Sequence, residues 1–187
     1  MKKILITGGN GYIAKSLYNS LKELCDVSII SRNDFDLTDS FETIKFFSNK
    51  HFDVVIHAAS SGGSRLKQDN FQIMDNNLKM YFNLLNCENR FDKFISLGSG
   101  AEIYNFESPY GLSKKVIHNS ILEKENFFNI RLFAVFNENE IDTRFIKSNL
   151  ICFQVSLSCL FNLSSIFKFL YSIFAYLFNL CCDFRHL

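Results

Sequence analysis

The strongest constraint on the fold is an alternation of period. Short apolar runs at residues 3–7, 27–31, 53–58, 93–97 and 129–133 read as strands, and stretches of helical spacing at 12–24, 40–50, 70–89 and 110–126 separate them. In the first helical stretch Ile13, Leu17, Leu21 and Leu24 recur at helical spacing, and a Ser cap opens the second. The run DVVIHA at 53–58 is almost continuously apolar, as a strand buried on both faces requires. Strands alternating with helices of this length predict an α/β fold with parallel βαβ units and right-handed crossovers. In such doubly wound sheets ligands bind beyond the carboxyl ends of the strands, where the strand order reverses.

Those carboxyl ends carry the unusual residues. The first strand is followed by TGGNGYIA, in which Gly8 and Gly11 lie just ahead of a helix. Glycines let the backbone turn tightly against a pyrophosphate, and the helix N-terminus offers N–H groups and positive partial charge to it. The second strand leads into Ser31 and Arg32, which suit a 2′-phosphate better than a 2′-hydroxyl, so NADP is expected in preference to NAD. The fourth leads into LGSGAEIY, which places Ser99 in a loop at the same edge and leaves Ser96 inside the strand. Beyond it, SPYGLSKK sets Tyr110 and Lys114 four residues apart on one helix face. Spacing alone fits a solvated first turn as well as a reacting pair, and Ser99 favours the pair. A Ser hydroxyl can hold a substrate oxygen and a Tyr can transfer the proton. A nearby ammonium can stabilise tyrosinate, whose free pKa of about 10 is high for base work near neutrality.

Composition excludes other classes. The net charge is +1 with Lys and Arg dispersed, which leaves no electrostatic footprint for nucleic acid. The apolar run after the N-terminal lysines is too short for a signal peptide, and the six cysteines show no metal-ligand spacing. Cys25 and Cys87, placed in the predicted helices, are expected as free thiols in a reducing cytosol.

Together these motifs resemble the extended short-chain dehydrogenase/reductases, the NAD-dependent epimerase/dehydratase family that acts on nucleotide-sugars. The resemblance covers residues 1 to about 147 and rests on TGGNGYIA, Asp36-Leu37, VIHAA at 55–59, Asn77 and Asn83 six apart, Ser99, and YGLSK at 110–114. Within the family, DLTDSFETIKFF and HAASSGG are most similar to the GDP-fucose synthase and dTDP-4-dehydrorhamnose reductase branches. The resemblance implies a Rossmann-like domain over residues 1–149, with Ser99, Tyr110 and Lys114 catalytic. It implies NAD(P) contacts from Thr7, Gly8, Asn10, Gly11, Tyr12, Ile13, Arg32, Ala58, Ala59 and Asn77, with Asp36 and Leu37 near adenine and Lys114 on the nicotinamide ribose. A nucleotide-sugar substrate for surface polysaccharide precursors is the expected partner, and a homodimer is an open expectation. His57 is expected to be a packed strand-end residue. Family dehydratases carry an Asp-Glu pair beside the catalytic Ser or Thr where this chain has Gly100 and Ala101, so epimerase or reductase chemistry is expected instead.

From residue 150 the composition changes. Up to Cys182 Lys168 is the only charged residue, and Asn137 stands where the family usually has glycine. Residues 150–187 are therefore expected to form an apolar helical tail in place of a substrate lobe. Three readings stay open. The tail could begin an ordinary lobe, although it lacks punctuating glycines and prolines. It could anchor the chain in a membrane through residues 151–182, although the uncharged run at 169–182 is fourteen residues against the roughly 20 required. It could be a shifted reading frame, leaving a nucleotide-binding remnant without turnover.

Overall fold

The computed structural model describes residues 1–64, 67–133 and 135. The apolar segment 150–187 and Asn137 lie outside the described residues. Residues Met1–Phe133 form one compact unit. Its strands are β1 (Lys3–Thr7), β2 (Asp26–Ile30), β3 (Phe52–His57), β4 (Phe91–Ser99) and β5 (Phe127–Leu132). Its helices are α1 (Tyr12–Leu21), α2 (Ser40–Phe47), α3 (Phe71–Leu85), α4 (Ala101–Tyr104) and α5 (Pro109–Ile121), with a 3-10 turn at Glu88–Arg90.

All five strands are parallel, in the order β2-β1-β3-β4-β5. The expected doubly wound, Rossmann-like sheet is therefore present. The chain steps one way from β1 to β2 and the other way from β2 onward, so right-handed crossovers put α1 on one face and the later helices on the other. Register shows how the core is built. Leu5 pairs with Val55 and Val55 with Phe94, so one layer of the sheet presents three side chains that are 0% exposed. Phe47 of α2, Met80, Tyr81 and Leu84 of α3, and Ile117 and Ile121 of α5 close over them. Phe94 packs at a tilt against Phe91 and Phe127 and meets Tyr81 edge-on. Truncating a ring so placed costs about 3–5 kcal/mol.

Capping sets the helix starts. Asp39, rather than Ser40, caps α2 by accepting from the Glu42 N–H, which makes Ser40 the first helical residue. Asn70 caps α3, and Ser108 caps α5 with Pro109 in its first turn. Several ends differ from expectation. The chain leaves α1 at Leu21 and α3 at Leu85, so Cys25 and Cys87 sit just past helices, buried and outside any disulfide. β4 runs on to Ser99 because it pairs with β5 as far as Leu132, so Ser99 ends a strand rather than lying in a loop. Among the described residues no helix is long and apolar enough to cross a membrane.

Candidate active site

The strand order reverses between β1 and β3, and the glycine turn lies there. Gly8 has φ of +78°, and a Cβ on it would come within 2.7 Å of the Ala59 backbone. Gly9 donates to Ile30 O at 2.7 Å and Gly11 donates to Gly8 O at 2.7 Å, which folds the turn flat against the ends of β2 and β3. Gly11 is the N-cap of α1 with no side-chain cap bond and no acidic residue in the first turn. This cradle, closed to side chains and ending on uncapped helix N–H groups, fits a dinucleotide pyrophosphate. Asn10 is exposed at the tip of the turn, while Tyr12 and Ile13 are half-buried at the start of α1.

Thr7 is fully buried, and its roles are internal. Its Oγ1 accepts from Ala59 N at 3.2 Å and shares a hydrogen bond with His57 Nδ1 at 2.9 Å, which locks the β1 end to Ala58 and Ala59. Burial, then the charge of Lys114, pushes His57 down to about 3, so it is a neutral packed residue as expected.

At the β2 end the guanidinium of Arg32 reaches across to Ser61, with Nη2 3.3 Å from its Oγ. Sequence reading missed an acidic group here. Asp34 folds back on Ser31 and accepts from its N–H at 2.8 Å and its hydroxyl at 3.0 Å; these bonds hold its carboxyl below the ordinary range. The Asp36 carboxylate, exposed nearby, is also lowered, first by the Thr38 N–H and in smaller part by Arg32. The Leu37 side chain lies in the core and its carbonyl accepts from Asn83 at 2.8 Å, so both are engaged within the protein.

Ser99, Tyr110 and Lys114 converge at the β4 end. The phenol of Tyr110 lies within hydrogen-bonding reach of the Ser99 hydroxyl and of the Ser60 hydroxyl. Ser99 Oγ also accepts from Ala101 N at 3.2 Å. Lys114 is 5% exposed; its Nζ donates to Leu97 O at 2.8 Å and lies 5.7 Å from the Tyr110 ring centroid. Burial lowers Lys114 to about 8, against an opposing contribution from Glu102. Burial raises Tyr110, and the serine bonds only partly offset it, so the phenol is protonated at neutral pH.

One further feature was not read from the sequence. Gly63, at φ +71°, lies flat on the Tyr110 ring, where a Cβ would come within 2.8 Å of Cζ. Its N–H is tied to Asp69 Oδ1 at 3.1 Å. The SSGG cluster after β3 was the available signal. Asn77 fastens this loop: its Oδ1 accepts from Ser61 N at 2.7 Å, and its Nδ2 donates to Ser61 O at 3.0 Å and Ser113 Oγ at 3.1 Å. Both ends of that amide are thus engaged within the protein. Among the described residues no cluster of His, Cys, Asp and Glu could hold a metal ion.

Several solved structures share the fold. MlghC, a GDP-mannoheptose C4 reductase from Campylobacter jejuni with NADP bound, is 20% identical with a TM-score of 0.60, over 72% of this chain and 52% of that one. A dTDP-4-dehydrorhamnose reductase from Clostridium acetobutylicum is 18% identical with a TM-score of 0.64, over 82% and 60%. The Bordetella bronchiseptica enzyme WbmG, in complex with NAD and UDP, is 16% identical with a TM-score of 0.57, over 68% and 52%. The chain thus spans between about half and three-fifths of the length of these proteins. No curated protein sequence matches it significantly. The family described as NAD dependent epimerase/dehydratase matches residues 4–172, past residue 147 where the motif resemblance ends and into the apolar segment. With that match over most of its length, the chain belongs to the NAD-dependent epimerase/dehydratase family.

Proposed function

We propose that the chain reduces a keto group of a nucleotide-sugar destined for surface polysaccharide, or epimerises one of the sugar's stereocentres, with NADP(H) as its cofactor. The observation that carries this reading is the convergence of Ser99, Tyr110 and Lys114 beside a glycine cradle suited to pyrophosphate. A bound nicotinamide supplies or accepts hydride. The rest is the work of side chains. Ser99 holds the keto oxygen by a hydrogen bond, and Tyr110, protonated at neutral pH, gives that oxygen its proton as the carbonyl carbon is reduced. Reduction thereby converts the ketone to an alcohol and Tyr110 to tyrosinate, which the Lys114 ammonium beside the ring stabilises until solvent returns the proton. Arg32 pairs with the 2′-phosphate.

Tyr110→Phe tests this assignment, because the ring still packs under Gly63 but carries no proton. Turnover of a nucleotide 4-keto-hexose is expected to fall about 10²–10⁴-fold with NADPH affinity retained. Unchanged turnover would place the proton donor elsewhere. A second reading, a nucleotide-binding module without turnover, draws on the Gly63 backbone that covers the Tyr110 ring. It predicts NADPH binding with no turnover in the unaltered chain.

A further inference from the structure

Ser99 is held by an anchorage that the mechanism above does not use. It ends β4, and α4, which follows at once, is a single turn of four residues. One helical turn does not hold itself together in water, because fixing its backbone costs more than its first hydrogen bonds return. The position of α4 therefore depends on what it is fastened to. Its fastening is an ion pair: the Glu102 side chain, 1% exposed, meets Nε of Arg131 on β5, and Asn129 Nδ2 approaches both carboxylate oxygens at 3.3 and 3.4 Å. Arg131 is also the residue opposite Gly98 in the sheet, and Gly100 N–H donates to Leu132 O at 3.1 Å. The corner from Gly98 to Glu102 is thus bound to two consecutive residues of β5, with Ser99 inside it.

The same guanidinium reaches the helix that carries Tyr110. Arg131 Nη2 donates to His118 Nε2 of α5 at 2.6 Å, so one side chain joins the elements that bear the two hydroxyls. The two helices also meet beside Tyr110. A Cβ on Gly111 would lie 2.0 Å from Asn105 O and 2.8 Å from Ala101 O, so α5 seats on α4 only without one. Ala101 N–H in turn donates to the Ser99 hydroxyl at 3.2 Å and sets its direction. We propose that Glu102 and Arg131 are positioning residues, whose ion pair seats α4 so that the Ser99 hydroxyl faces the Tyr110 phenol. Neither touches a reacting atom. A buried ion pair contributes little net stability over an apolar pair of the same volume, and in this scheme what it adds is a fixed register between α4 and β5. The inference rests on reading Ser99 and Tyr110 as the acting hydroxyls.

The test follows the Tyr110 phenol by NMR of protein labelled at tyrosine Cζ, at one neutral pH, with the signal assigned by Tyr110→Phe. Ser99→Ala marks where the signal lies without the serine bond. Glu102→Gln is expected to move the signal at least about half of the way to that mark, and to move it less than about half as far when added to Ser99→Ala. A loosened fold, or a direct effect of the carboxylate charge on the ring, would move it equally in both backgrounds. That result, or an unmoved signal in Glu102→Gln, overturns the proposal. If Glu102→Gln does not fold, Arg131→Gln, at the exposed end of the pair, replaces it in the same cycle. Turnover of a nucleotide 4-keto-hexose gives a second cycle. Glu102→Gln should lower it about 10- to 100-fold in the otherwise unaltered chain and by less than about twofold beside Ser99→Ala, and equal factors in the two overturn the proposal. The NMR comparison needs neither cofactor nor turnover. Retained activity in Tyr110→Phe would overturn the proposed function without touching that comparison.

Discussion

The two halves of the candidate site are built from different materials. At the ends of β1 and β2 the working groups are backbone and surface: the Gly8 to Gly11 turn, the uncapped start of α1, and the exposed Arg32, Asp34 and Asp36. At the ends of β4 and β5 they are side chains drawn back from water: Lys114 and Glu102 are buried and Tyr110 is half-buried, with exposed Arg131 paired to Glu102. Water screens the first set, and each member acts nearly alone. The low dielectric around the second set couples its charges, so that one substitution is felt by all. The cofactor half should therefore break through shape, and the catalytic half through protonation.

The largest effect is expected where shape leaves no room. Gly8→Val places a branched side chain at positive φ against the Ala59 backbone, 2.7 Å away at the Cβ alone. It should cost about 2 kcal/mol or more of stability and about 100-fold in NADPH affinity. Denaturant midpoints and a fluorescence titration measure both, and near-normal binding would show that the turn does not form the cradle.

His57 joins the halves, bonding Thr7 of β1 and feeling the charge of Lys114. Its folded value of about 3 lies below the ordinary 6.5, so between those limits the unfolded chain binds the proton that the folded chain refuses. The stability from keeping it neutral is complete above about pH 6.5. It is lost as the pH falls toward 3, by at most about 1.4 kcal/mol per pH unit. His57→Gln should flatten that acid limb, and an unchanged slope would assign it to other groups.

The smallest effect sits at the surface. Arg32→Ala should reduce the preference for NADPH over NADH by about tenfold, and Asp34→Asn should raise NADPH affinity by removing a carboxylate from the same strand end. A ratio indifferent to both would mean that this loop does not read the ribose.

Local signals made the first half legible. A strand, a glycine turn and a helix follow one another within residues 3–21, and nothing distant is needed to see them. Tyr110 and Lys114 were equally visible because a helix face is a local property. The parts that escaped depend on register and on chain reversal. Asp34 reaches Ser31 only because the loop doubles back, and Ser60 and Gly63 reach Tyr110 from a different strand end. Glu102 and Arg131 meet because β4 and β5 pair with Gly98 opposite Arg131, a match that no spacing in the sequence announces. Ser99 was found in the right place but given to a loop, since the pairing that extends β4 comes from β5.

The central claim is that both halves act together as one reducing site. It is tested most directly by mixing the purified chain with NADPH and a nucleotide 4-keto-hexose and following the absorbance of the reduced nicotinamide. The account predicts that NADPH binds and that its absorbance falls only when the keto-sugar is added, with one alcohol formed for each NADPH consumed. Bound NADPH whose absorbance stays constant in the presence of the keto-sugar would contradict it, and a sugar whose stereochemistry is also unchanged in that mixture would leave a nucleotide-binding module in its place.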